Sequence, residues 1–493
     1  MDLSRSSVIL LFVGLYMVMC IAVGLWALSR TRSTRDFFMA GRDLGVWVTG
    51  LAVFSSTMSG FGFVGGPGLV YRMGMTSVWM VMSIPLGYVL CFALLAKRIR
   101  LLAELREPVS LPDAVAARYG SEGCRFLAAL AILLGVMGYL ATQILAMATV
   151  LRDLVAGAGL GVFSMEACVA FSCAVLVFYC VTGGIIASVY TDLVQGLVMV
   201  AAAVLVFLAT ANVAPGGWNG IVSTISADDA GSMSPWGTLG AFQGLSWYLL
   251  FILGVAGQPH VVTKMMMNRR IRDAKYILPV AALGYAVSAL LWVSIGLAMR
   301  ALVIRGMHPE LEGADSAAPQ FLAHYVPPVL AGLVFAALFA AIMSTADGFL
   351  NIGAAAVVHD IPRALRGRSL GNELFWARTA TVIIASVASV FALYSGDLVA
   401  ILGAFGWGTF AAALVPVVAL GLNWKRATAL AAKTAILVSL SINFAFRLLD
   451  AQVPWGIDPG AISLLVSLTL FVGISLASPR PVLDPDIDRL LDT

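Results

Sequence analysis

The chain has 493 residues, of which 60% are hydrophobic and only 11% charged. Soluble domains carry about 25% charged residues, so a soluble fold of this length would lack the polar surface to cover its core. The formal net charge of +4 is small, and its placement along the chain says more than its size.

Apolar residues come in blocks of roughly 20, each long enough to cross about 30 Å of hydrocarbon as a helix. A transmembrane β-barrel would alternate apolar and polar residues, whereas 8–28 and 197–208 are continuously apolar. The pattern predicts an all-α polytopic membrane protein of about 13 transmembrane helices. They run near 7–29, 44–71, 76–96, 126–151, 164–182, 189–211, 240–261, 276–300, 327–357, 377–395, 398–422, 428–446 and 459–477. The N-terminus lacks a basic stretch and a small-residue cleavage site, so the first block is expected to be a retained helix rather than a signal peptide. Cys20, Cys91, Cys124, Cys168, Cys173 and Cys180 read as small hydrophobes, not as a disulfide framework.

Positive charge sets the expected topology. One set of alternate loops, with the C-terminal tail 478–493, holds 24 of the 30 Lys and Arg residues, beginning with Arg30, Arg32, Arg35 and Arg42 and including Lys264. The other side holds Arg5, Arg72, Arg152, Arg300, Arg305 and Arg447. The expectation is a multi-pass protein of the cell inner (plasma) membrane, N-terminus outside and C-terminus cytoplasmic. Basic clusters beside membrane spans are topology determinants and lipid contacts, so no nucleic-acid partner is expected.

Helices two and seven carry helix breakers in mid-span. Helix two holds Ser55, Ser56, Thr57, Met58, Ser59, Gly60, Phe61 and Gly62, then Gly65, Gly66, Pro67 and Gly68; helix seven holds Gly254, Gly257, Gln258 and Pro259. Pro removes a backbone donor and Gly lowers the cost of unwinding. Taken alone, Gly65–Gly68 is open to a second reading, close helix packing by small residues. Together the two broken helices lie five helices apart and cross in opposite directions. Each would open a five-helix unit, the pattern of an inverted-repeat transporter that binds its cargo at the breaks.

Asp192 in helix six and Asp347 in the middle of helix nine are carboxylates within predicted spans. Intramembrane carboxylates mark ion or proton paths. Ala341, Ser344, Thr345 and Gly348 share one face of helix nine. Their hydroxyls and carbonyls suit Na⁺; alternatively, Ser344 and Thr345 bond back to the preceding turn.

At these residues the chain resembles the sodium:solute symporter family, which includes sodium/proline, sodium/glucose, sialic acid and pantothenate carriers. Asp36 to Arg42 is similar to the family's first cytoplasmic loop. Thr182, Gly183 and Gly184 through Thr191, Asp192, Leu193, Val194 and Gln195 are similar to its central signature. Gly257 to His260 and Ala341 to Thr345 resemble the proline-carrier branch. The resemblance implies a LeuT-like 5+5 inverted repeat: an extra N-terminal helix (7–29), repeats over 44–211 and 240–422, two C-terminal helices (428–477) and the tail 478–493. It implies a sodium site formed by the carbonyls of Ser55, Met58 and Ala341 and the hydroxyls of Ser344 and Thr345. Asp192 matches an acidic residue linked to sodium release or a second ion, and Asp347 falls near that second site in altered form. The solute is expected against Ser59, Phe61, Gly65, Tyr139, Gln143, Phe251, Val255, Gln258 and Pro259. Proline carriers have an acidic residue at Thr57, tryptophans at Phe61 and Phe251 and a tyrosine at Val255, so the pocket is not built for proline. Gln143 and Gln258 either bond a polar solute or serve as structural amides.

The expected function is sodium-coupled symport of a small organic solute, such as an amino acid or monocarboxylate, by alternating access of a monomer. Proton coupling and a transporter-like solute sensor are the alternatives. No intramembrane Ser/His/Asp set or His-rich metal motif points to an enzyme.

Overall fold

The computed structural model of the chain describes residues 5–30, 44–157, 159, 161–396, 398–449, 451 and 453–493; within these, the side chains of 20, 23–24, 26–30, 182–187 and 190 lie outside the description. The motif Asp36–Arg42 and the side chains of Cys20 and Thr182–Gly184 therefore fall outside the described residues. Every named element among those described is helical, with one isolated parallel bridge between Leu44 and Asn268. Among the described residues, ten helices are long and apolar enough to cross a membrane, and Arg5–Met19, Val46–Thr57 and Met165–Val181 are shorter apolar stretches. The expected count of 13 is therefore not reached by length alone.

Helices five and six, expected as 164–182 and 189–211, form one helical run, Met165–Thr210. The Tyr179 and Thr191 hydroxyls lie 2.7 Å apart. A straight helix would separate two residues 12 apart by about 18 Å, so the run bends sharply between them. Helix nine (Pro328–Ala355) sits at the centre, buried continuously from Val334 to Asn351. Its Ala-rich surface lets neighbours approach closely. The bent run, the first helix (Arg5–Arg30) and helix four (Glu122–Gly157) all pack on it. The first helix is also tied at its start and middle: Arg5 donates to the carbonyls of Leu322, Ala323 and Val326, and Gln195 donates to the Tyr16 hydroxyl at 2.7 Å.

The end of the molecule bearing the basic loops is held by buried polar contacts. Asp113, at the start of a short helix (Leu111–Tyr119), pairs with Arg125 and lies 3.6 Å from His359, which in turn lies 3.2 Å from Glu373. Burial alone would raise the Asp113 carboxyl, but His359, Arg125 and the Val109 N–H outweigh it and hold it well below the usual carboxylate range. That stabilisation is complete above the ordinary aspartate value of about 3.9 and is lost as pH falls below it. The tail ends in a seven-residue helix (Pro485–Leu491) pinned across the same end, with Asp486 facing Arg106 and both Asp488 and Asp492 on Lys425. Asp113→Asn is expected to destabilise the detergent-solubilised protein at pH 7 by roughly 3 kcal/mol, read as a lower melting temperature. An unchanged melting temperature would remove the network from the fold's support.

Candidate functional site

Helix two supplies the floor of the site. It runs as an α-helix from Val46 to Thr57, then breaks. Ser56 and Thr57 turn their hydroxyls back onto the carbonyls of Ala52 and Val53, both at 2.8 Å, which weakens the helical ladder there. Met58 leaves helical geometry (φ −83°, ψ 84°), and the chain resumes as a wide turn over Phe61–Gly65 and an α-helix over Gly66–Met73. The break therefore lies at Met58–Gly60. The second glycine cluster is a packing surface, the alternative reading of those residues. A Cβ on Gly65 would lie 2.6 Å from the Ala400 nitrogen, and one on Gly66 2.1 Å from the Trp292 ring.

Helix seven breaks as expected. Gly240–Gly254 gives way to a tight turn over Val255–Gly257, Gln258 is extended, and Pro259 opens a second helical segment, Pro259–Met266. This segment outruns the expected end at 261 and carries Lys264 inward. Lys264 is 2% exposed, so its expected place in a basic loop is corrected. Its position was foreshadowed by its neighbours Val261, Val262, Met265 and Met266, an apolar setting unlike that of the other basic clusters.

Helix nine brings the hydroxyls to the break. Thr345 donates to the Ser56 carbonyl at 3.0 Å and to the Ala341 carbonyl at 3.1 Å. The Ser344 and Ser55 hydroxyls lie 3.3 Å apart, and Ser344 also donates to Asp192. Lys264 Nζ completes the chain, 3.0 Å from the other Asp192 oxygen and 2.7 Å from the Ala52 carbonyl. Ser55, Ala341, Ser344, Thr345 and Asp192 are thus together, with Met58 beside them at the end of the helical segment. Asp347 lies one turn along helix nine and accepts from Asn351 at 3.1 Å. The donors are all hard oxygens, a set matched to Na⁺ rather than to a soft metal.

The expected solute residues divide into three groups. Ser59, Tyr139 and Gln143 gather at the break. Gln143 accepts from the Gly60 N–H at 2.9 Å and donates to Ser59 at 3.3 Å, while the Ser59 and Tyr139 hydroxyls are 3.5 Å apart. Gln143 is here a structural amide that satisfies unwound backbone. Phe61 and Phe251 stack at 5.6 Å within a column completed by Trp292, 5.2 Å from Phe61, and Trp407, 5.0 Å from Phe251. Gln258 donates to the carbonyls of Gly254 and Trp407, leaving its side-chain oxygen unpartnered in the interior. Gly65, in the same turn as Phe61, packs on Ala400; the Val255 side chain lies against Gly87, and its carbonyl accepts from the Gln258 N–H at 3.2 Å.

His260, expected at a span end, is instead buried beside the break. It lies 3.4 Å from the Thr57 hydroxyl and edge-on to Phe349, with Nδ1 unpartnered. A narrow cavity, with room for little more than a water molecule, is lined by the 109–112 loop at the basic end and by His260, Lys264, Gly348 and Asn351. Phe61, Phe251, Trp292 and Trp407 of the aromatic column are fully buried, and Asp315 accepts from the Val399 N–H at 2.8 Å. Burial in this loop pushes the Asp315 carboxyl up to about 7. Gln143→Leu is expected to strand the Gly60 N–H, costing about 1–3 kcal/mol and lowering the melting temperature. Gln143→Glu keeps the acceptor and is expected to lose less. Equal losses in both variants would show that the acceptor is not what matters.

Three comparisons place the chain among known proteins. Residues 37–438 match the model of the sodium:solute symporter family. The osmoregulated proline transporter OpuE of Bacillus subtilis is 27% identical, covering 96% of this chain and 95% of its own. The sodium/pantothenate symporter of Escherichia coli is 28% identical, covering 93% and 94%. The fold is that of a substrate-bound, outward-open Na⁺-coupled sialic acid symporter, at 21% identity and TM-score 0.76 over 97% of this chain and 99% of that one. The chain belongs to the sodium:solute symporter family and is a membrane carrier that couples solute symport to Na⁺.

Proposed function

We propose that Na⁺ binds between helices two and nine, at the carbonyls of Ser55, Met58 and Ala341 and the hydroxyls of Ser344 and Thr345. The observation that carries this reading is the meeting of Ser55, Ser344 and Thr345 at the end of a broken helix. Asp192, bonded to Ser344, and Asp347, a turn further on, form the path by which the ion leaves. The two broken helices open the repeats 44–211 and 240–422, with 7–29 and 428–477 outside them. The protein acts as a carrier with no catalytic step.

The basic end faces the cytoplasm, which puts the N-terminus outside and the C-terminus inside. On that orientation the narrow cavity beside His260 and Lys264 lies on the cytoplasmic side and marks the start of the inner vestibule. Solute binds beside Ser59, Tyr139, Phe61, Phe251, Gln258 and Pro259, where the aromatic column forms one wall and the free Gln258 oxygen supplies an acceptor. The named solutes of the relatives and of the structural neighbour (proline, pantothenate and sialic acid) all carry a carboxylate. A small carboxylate-bearing solute, an amino acid or a monocarboxylate, is therefore the class for this chain. Phe61, Phe251 and Val255 make it a different member from proline.

Ser344→Ala combined with Thr345→Ala removes two hydroxyl ligands. It is expected to raise the sodium concentration for half-maximal uptake into proteoliposomes at least tenfold. An unchanged sodium dependence would move the site elsewhere.

A further inference from the structure

Lys264 is a buried cation with two specific acceptors. Its amine lies 2.7 Å from the Ala52 carbonyl of helix two and 3.0 Å from the carboxylate of Asp192. Lysine and aspartate are 2% and 0% exposed. The second Asp192 oxygen accepts from Ser344, whose hydroxyl is 3.3 Å from that of Ser55. An unbroken chain of polar contacts thus joins the lysine amine to the Ser344 hydroxyl, a proposed sodium ligand, and on to Ser55, whose carbonyl is another.

Charge balance gives this chain a consequence. A carboxylate held in the interior without a cation is costly, and more so at membrane depth. A carrier that delivers Na⁺ must then return without it, with Asp192 still buried among helices two, seven and nine. The nearby groups on the packed elements are Asp347 on helix nine, which adds negative charge, and His260 on helix seven, whose Nε2 faces Thr57. Among the described residues, Lys264 is the cation in direct contact with Asp192. It is tethered, so it cannot leave with the solute.

We propose that Lys264 is a positioning residue that takes sodium's electrostatic place beside Asp192 in the empty carrier, and so sets the rate at which the empty carrier returns. This rests on sodium binding at the Ser344 site. When Na⁺ enters, it and the lysine share one carboxylate, and their mutual repulsion weakens sodium binding. When Na⁺ leaves, the amine alone neutralises Asp192 and fixes it to helix two through Ala52.

The test separates two modes of transport by the same reconstituted full-length protein. Net sodium-driven uptake requires return of the empty carrier. Exchange of labelled for unlabelled solute, with saturating sodium on both sides, does not. The ratio of net uptake to exchange is expected to fall at least fivefold in Lys264→Met and to recover in Lys264→Arg. A merely structural lysine would lower both modes together, and an unchanged ratio overturns the proposal. If Lys264→Met does not transport at all, the melting temperature of detergent-solubilised Lys264→Gln, titrated with NaCl against a choline chloride control, decides. Half-saturation at a sodium concentration at least fivefold below wild type is expected, and an equal or higher value overturns the proposal. Wild-type protein showing no sodium effect in either assay would instead sink the sodium site itself.

Discussion

Helix two is held sideways, through its backbone, by one side chain from each of three other helices. Lys264 of helix seven takes the Ala52 carbonyl, Thr345 of helix nine takes the Ser56 carbonyl, and Gln143 of helix four accepts from the Gly60 N–H. A broken helix at membrane depth leaves backbone groups that lipid cannot satisfy, so such a break survives only where protein supplies partners. The Thr345 and Gln143 contacts are those partners, while Lys264 adds a bond to a carbonyl in the helical turn before the break. The centrality of helix nine, the inward reach of the helix-seven segment and the placement of Tyr139 and Gln143 all follow from the need to meet that backbone.

The same contacts are suited to movement. They are single hydrogen bonds to one strip of helix two, set among Ala- and Gly-rich surfaces that slide more readily than interlocked large side chains. An ion bound at the proposed site would engage helices two and nine together, and so favour the arrangement in which they meet. Coupling demands that ion and solute each have different affinities in the two arrangements. Ser344 is placed to provide this, since its hydroxyl serves Asp192 here and would have to turn toward the ion.

Much of this was legible in the sequence because the membrane enforces simple patterns. The helical membrane architecture, the interruption of helices two and seven and the Ser344–Thr345 face follow from hydropathy, Gly and Pro placement and helical periodicity. The parts that were not legible depend on which groups meet across the fold. Gly65–Gly68 carries the composition of a break but serves as a packing surface, because Ala400 and Trp292 press against it. Gln143 was open between solute and backbone until its acceptor was seen to face Gly60. Lys264 counts as one more basic residue near a span end until the helix is followed past 261 and its amine is found on Asp192. Sequence patterns report local preference, whereas a buried ion pair between residues 72 apart is a property of the packed whole.

The central claim is that the broken helices bind and release solute under the control of Na⁺. Its most direct measurement is uptake of a confirmed solute into proteoliposomes at fixed pH, with an inward sodium gradient and then with equal sodium on both sides. The account predicts accumulation above the equilibrium level only with the gradient. Equal uptake in the two conditions, or accumulation that follows a proton gradient at constant sodium, would contradict it.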